Sequence, residues 1–140
     1  MPTSGLRPGD VILYPYRWAR EAAGQRAPEG SKTRPCGVVV AAVTAAGRTH
    51  LLLAAISSKP PRSDQEALVL PEIERRRAGL DTTREAWIYV SEANEDVEGA
   101  SIYLTNEPTT GAISKAFLER VKAAFLRRLG GRASSVVNRT

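Results

Sequence analysis

"PCGVVVAAVTAAGRTHLLLAAIS", residues 35–57, is the stretch that decides the fold. Two apolar runs rich in Val, Leu and Ile flank "AAGR", with Gly47 at the turn. Each run is short and too continuously apolar for a strand with one wet face. Both faces are therefore expected to be covered, as at the centre of a closed sheet. A tight connection near Gly47 makes the two strands antiparallel. Arg34, just before the first strand, and Ser57, closing the second, then lie side by side.

Working outward, "GDVILYPY" (9–16) follows a Pro-Gly turn signal and reads as a first strand, with Val11, Leu13 and Pro15 on one face. Residues 17–34 read as a long polar connection carrying Arg17, Arg20, Arg26, Lys32 and Arg34; Gly24, Pro28 and Gly30 limit any helix there to a turn. Connections of that length tend to carry function. "SKPPRSDQ" is a loop and "EALVLP" a fourth strand. Pro71 opens a brief helix, "PEIERRRAGL", which Gly79 ends. "EAWIYVSEAN" (85–94) is a fifth strand, with Trp87, Tyr89 and Ser91 on one side and Ile88 and Val90 on the other; "ASIYL" (100–104) adds an edge piece.

In "GAISKAFLERVKAAFLRRLGG", Ile113, Phe117, Val121, Phe125 and Leu129 recur every four positions, with Leu118 and Ala124 beside them. That is the apolar stripe of an amphipathic helix stopped at Gly130-Gly131. The expected fold is mainly β with α: a small SH3-like β-barrel with a C-terminal amphipathic helix. Residues 1–130 form the single domain and residues 131–140 a basic C-terminal tail.

The 140 residues suit one domain, and 42% hydrophobic with 25% charged residues is an ordinary globular balance. The single cysteine, Cys36, excludes an internal disulfide and a cysteine-based zinc site, and the single histidine, His50, excludes a His-pair metal site. There is no apolar run of membrane-spanning length and no signal-peptide pattern at the start, so a cytoplasmic protein is expected. The net charge of +5 is uneven: residues 114–140 carry seven basic groups against Glu119 alone. Such a face fits a polyanion or an acidic protein partner, and equally a solvated helix face.

Neither a Walker loop nor G-x-G-x-x-G is present, and no cofactor is expected. "SEANED" clusters Glu92, Glu95 and Asp96, but a metal site there would need ligands from elsewhere, and none is assigned. Two candidate places remain: Arg34 with Glu29 five residues ahead, and "ISSKPP", where Ser57 and Ser58 end a buried strand. A guanidinium beside a hydroxyl, with a carboxylate within loop reach, suits phosphodiester handling. Arg holds a phosphate bidentately and stabilises charge developing on its oxygens. The same residues also suit a structural role, with Arg34 paired to Glu29 to pin the loop and Ser57 ending a strand.

These elements, in this order, resemble the MazF/PemK toxins of bacterial toxin–antitoxin modules. The similar features are the opening "GDV" strand, a Glu five residues ahead of Arg34-Pro35, an apolar strand, a second closing on "AAIS", "WIYVSEAN" and a terminal helix. The order covers roughly residues 8–130. The resemblance implies a homodimeric SH3-like barrel that cuts single-stranded RNA without a metal and is neutralised by an acidic antitoxin protein. It implies Arg34 as the principal catalytic residue and Ser57, in place of the family's threonine, as its partner at the scissile phosphate. Glu29, Lys32, Ser58, Lys59, Arg17 and Arg20 are then expected around the substrate. The implied chemistry is attack by the RNA 2′-hydroxyl, leaving a cyclic phosphate and a free 5′-hydroxyl. A second reading is a non-catalytic barrel that binds nucleic acid or a protein target such as DNA gyrase, with Arg17, Trp18 and Arg20 for phosphate contact and stacking.

Overall fold

The computed structural model describes residues 5–20, 33–98, 104, 109–130 and 135–138. At its centre, β2 (Arg34–Val43) and β3 (Thr49–Ser57) form the long antiparallel hairpin read from residues 35–57. Gly47 takes the left-handed conformation (φ +81°) in the turn, as a residue without a Cβ can. The register shifts between Val38 and Val40, so Val39 is a bulge that bends the hairpin.

On the β2 side, β1 (Asp10–Tyr14) pairs antiparallel with β2, and a two-residue strand, Gly111–Ala112, pairs with β1. On the β3 side lie two successive strands, β5 (Trp87–Tyr89) and β6 (Glu92–Val97), with β4 (Ala67–Val69) beside β5. Numbering continues with Gly111–Ala112 as β7 and Ser135–Asn138 as β8; the helices are α1 (Glu72–Arg77) and α2 (Lys115–Gly130). The fold is mainly β, a curled, largely antiparallel half-barrel with two helices among the described residues. None of the helices described is long and apolar enough to cross a membrane.

β3 is covered on both faces, as its unbroken apolar run demands. Leu52, Ala54 and Ile56 face one core, and Leu51, Leu53 and Ala55 face the other. The first core is capped by α2, whose Phe117, Leu118, Val121, Ala124 and Phe125 are buried with Ile113 against Val11, Val39 and Ile88. Each buried Val, Leu or Phe contributes about 1.5–3 kcal/mol. Ser114 caps α2 by accepting the Phe117 N–H at 3.1 Å. It also donates to the buried Glu74 carboxylate at 2.6 Å, which ties α2 to α1. Gly79 (φ +75°) ends α1, and a Cβ there would lie 2.2 Å from the Thr110 carbonyl oxygen. The second core gathers Ile12, Tyr14, Tyr16, Trp18, Cys36, Val38 and Tyr89.

The strand expected over 85–94 is broken at Val90–Ser91. Three steps along β3, Leu53 to Ile56, are matched by six along its partner, Ile88 to Asn94. An odd number of extra residues reverses which side chains face which core. Trp87 and Tyr89 face the second core as expected, but beyond the break it is Glu92, Asn94 and Asp96 that point there. The break is held by Glu66, whose N–H donates to Ser91 Oγ at 3.1 Å and whose carbonyl accepts the Val90 N–H.

In β1, Ile12 and Tyr14 turn into the second core and Val11 into the first, while Leu13 is 46% exposed. Three further expectations differ from the structure. The connection read as polar from residue 17 onward begins inside the fold, since Trp18 is buried. Part of the stretch assigned to a basic tail forms β8, which runs parallel to β6; its β-branched Val136-Val137 suits a strand that covers β6's outer edge. The basic face of α2 is partly neutralised, with Arg127 and Arg128 on Glu66 at 3.0 and 2.9 Å and Lys122 near Glu119. The edge piece expected over 100–104 lies outside the described residues except Leu104, which packs on the second core.

Candidate functional site

Arg34 opens β2 and Ser57 closes β3. The register Cys36↔Ala55, carried two residues outward, sets them opposite each other at the rim of the half-barrel. Both line a cleft of about 510 Å³. It is lined by Trp18, Arg20, Arg34 and Tyr89, by Ser57, Ser58 and Lys59 at the end of β3, and by Asp81, Arg84 and Glu85 of the α1–β5 connection. That connection is pinned by Arg75, which donates to the Leu70 and Thr82 carbonyls at 2.8 and 3.2 Å. Five cationic side chains (Arg20, Arg34, Lys59, Arg62, Arg84) and two carboxylates (Asp81, Glu85) line the cleft. The cationic surplus suits a polyanion.

The Arg34 guanidinium carbon lies 5.3 Å from the Trp18 ring centroid and that of Arg20 lies 5.0 Å from it. Trp18 is itself held edge-on by Tyr16 and Tyr89, each at 5.1 Å. Cation–π contacts of this kind are worth about 0.5–2 kcal/mol. Trp18 is only 6% exposed, so it braces the two arginines rather than offering a face to a base. Arg34 makes no salt bridge among the described residues, and its buried Nε has no hydrogen-bond partner among them. Among the described residues, the aromatic platform and β2 are what orient its fork.

Ser57 Oγ accepts the Lys59 N–H at 3.1 Å, and the Tyr89 hydroxyl donates to the Lys59 carbonyl at 2.6 Å. Together they set the Ser57–Lys59 turn and leave the Ser57 O–H able to donate into the cleft. Burial raises the Tyr89 pKa, with Arg20 and Arg34 opposing, so its hydroxyl stays a proton donor at neutral pH. Asp81 accepts from the Thr83 N–H and Oγ1 at 2.9 and 2.6 Å, and Thr83 holds its carboxyl below the usual range.

Behind the platform stands β6. Glu92 Oε1 accepts the Ala19 N–H at 2.8 Å and the Tyr16 hydroxyl at 3.2 Å. Asn94 exchanges two 2.8 Å bonds with the Arg17 backbone, and Asp96 accepts the Tyr14 hydroxyl at 2.5 Å. Side chains of one strand thereby hold the Tyr14–Ala19 segment that carries Trp18. Burial pushes the Glu92 carboxyl up, against the Ala19, Tyr16 and Arg20 contacts. Tyr16 is pushed well up, first by burial and then by Glu92.

Of the residues expected from sequence, Arg34, Ser57, Ser58, Lys59 and Arg20 meet in the cleft. Arg17 is not among the residues lining it; its backbone is taken by Asn94. Glu29 and Lys32 lie outside the described residues. The "SEANED" carboxylates do not converge: Glu92 and Asp96 face the second core, while Glu95 bonds His50 on the other face at 3.1 Å. Among the described residues no three His, Cys, Asp or Glu side chains group as metal ligands. Sequence reasoning missed Arg62, Arg84 and Tyr89, although "KPPR" does place Arg62 in the same loop as Ser58 and Lys59. No protein-family model and no curated protein matches this chain.

Proposed function

We propose that this chain is a metal-independent endoribonuclease of the MazF/PemK toxin type, built on an SH3-like barrel and acting on single-stranded RNA. The observation that carries the reading is Arg34 and Ser57 on adjacent strand ends inside one cationic cleft. In the proposed reaction the RNA 2′-oxygen attacks the adjacent phosphorus and the bond to the 5′-oxygen breaks. The 2′-hydroxyl gives its proton to solvent or to Glu85 of the cleft lining, and the leaving 5′-oxygen takes one up from solvent. The products carry a cyclic phosphate and a free 5′-hydroxyl. Arg34 remains charged throughout and stabilises the oxygens of the pentavalent phosphorus by its fork. Ser57 donates a hydrogen bond to the same phosphate, and Lys59, Arg62 and Arg84 take neighbouring phosphates. A homodimer in the cytoplasm, neutralised by an acidic antitoxin protein, completes the reading.

The test is incubation of a long single-stranded RNA with the protein in excess EDTA, beside Arg34→Ala, with product ends identified by mass spectrometry. Cyclic-phosphate and 5′-hydroxyl ends from the wild type alone support the reading. Equal cleavage by Arg34→Ala removes the site assignment.

One observation favours a second reading, a binding module that grips nucleic acid or a protein such as DNA gyrase without cutting. Of the two carboxylates lining the cleft, Asp81 is held below the usual carboxylate range by the Thr83 bonds to its Oδ1 and is a weak proton acceptor, which leaves Glu85 as the better acceptor among the described lining carboxylates. Salt-sensitive binding with no cleavage by folded protein would select this reading.

A further inference from the structure

Glu92 is a buried carboxylate one layer behind the cleft, and the cleft chemistry does not use it. A buried charge is costly unless it is hydrogen-bonded, and Glu92 Oε1 is bonded to the segment that enters the site, with Gln65 bonding the same carboxylate. Its Oε1 takes both the Ala19 N–H and the Tyr16 hydroxyl, on either side of Trp18. The Tyr16 ring touches Trp18 edge-on, and Trp18 carries Arg34 and Arg20.

We propose that Glu92 is the positioning residue of this site: by holding Tyr16 and Ala19 it fixes the Trp18 ring, and through that ring the direction of the Arg34 fork. Its catalytic consequence rests on the proposed role of Arg34 at a phosphate. The structural relay from Glu92 to Trp18 and Arg34 does not depend on that role. Glu92→Ala frees both donors. Glu92→Asp keeps the charge but shortens the reach by one methylene. Glu92→Gln keeps an oxygen where both donors converge and is the conservative rescue.

The test uses the full chain in a Trp87→Phe background, which leaves Trp18 as the one tryptophan. Three readouts are taken: acrylamide quenching of Trp18, the Arg34 Nε–H resonance, which the ring shifts, and RNA cleavage kinetics. In Glu92→Ala and Glu92→Asp, quenching should rise and the Arg34 resonance should move. kcat should fall about tenfold to a hundredfold with KM nearly constant, the mark of lost transition-state geometry. Glu92→Gln should restore all three. If Glu92→Ala does not fold, Glu92→Asp decides. A folded variant with wild-type quenching and an unmoved Arg34 resonance overturns the proposal. A wild type that cuts no RNA overturns the nuclease reading instead, and the two spectroscopic readouts still decide the role of Glu92.

Discussion

The Arg34 guanidinium lies over the Trp18 ring at 5.3 Å, and Trp18 is wedged between Tyr16 and Tyr89. An arginine side chain carries about 2 kcal/mol of rotamer entropy, and a planar fork already laid on a fixed ring surrenders less of it on meeting a phosphate. Arg34 is also the first residue of β2. The strand supplies the root, and the aromatic platform holds the head.

Replacing Arg34 should therefore damage chemistry far more than folding. We expect Arg34→Ala to lower kcat/KM by about 10²–10³, the usual scale for a lost oxyanion donor, while costing no more than the roughly 0.5–2 kcal/mol of a cation–π contact. Arg34→Lys should not restore activity, since an ammonium lacks the fork. Single-turnover cleavage beside urea denaturation separates the two effects; a lysine variant with full activity would contradict a fork-dependent role.

The cleft, not α2, should dominate electrostatic binding. Removing Arg62 or Arg84 should each reduce the slope of log affinity against log salt for single-stranded RNA by about 0.7. Arg127→Ala and Arg128→Ala should leave it nearly unchanged, because Glu66 already holds both guanidiniums. Fluorescence anisotropy at several salt concentrations reads the slopes. The reverse ranking would return the binding surface to the helix.

Tyr14→Phe removes the hydroxyl that reaches the fully buried Asp96 carboxylate. Losing a buried charged group's donor costs about 1–3 kcal/mol, which should appear as a lower urea midpoint at an unchanged slope. A midpoint equal to wild type would mean that the contact contributes nothing net.

Glu92 and Glu66 should shape the pH dependence of stability in opposite directions. Burial raises the Glu92 pKa, so its contribution is fully present below the unfolded-state value and is lost as pH rises through the folded one. Glu66 is lowered, chiefly by its bond from Arg128, so its contribution is present above the unfolded-state value and is lost as pH falls through the folded one. Glu92→Gln should thus be at least as stable as wild type at neutral pH and lose the decline on the alkaline side of the carboxylate range. Urea titrations across acid to neutral pH would show this; a Gln variant that is weaker at neutral pH and keeps the decline would assign the effect elsewhere.

The amino-acid sequence by itself determined the hairpin, the brief helix after Pro71, the apolar stripe of the long helix and the meeting of Arg34 with Ser57. All of these follow from local pattern: unbroken apolar runs, a Gly turn, a four-residue repeat and the geometry of a two-stranded pair. Tertiary structure decided what surrounds them. An odd three-residue excess at Val90–Ser91, invisible in a strand's alternation, turned Glu92, Asn94 and Asp96 inward. Their hydrogen bonds drew residues 14–19 into the second core and set Trp18 beneath Arg34. Arg84 reached the cleft only because Arg75 and the Asp81–Thr83 turn fold its connection back toward β3. Local periodicity reports which face of an element is apolar. It carries no information on how many residues one strand slips past another, and that slip set the back of this site.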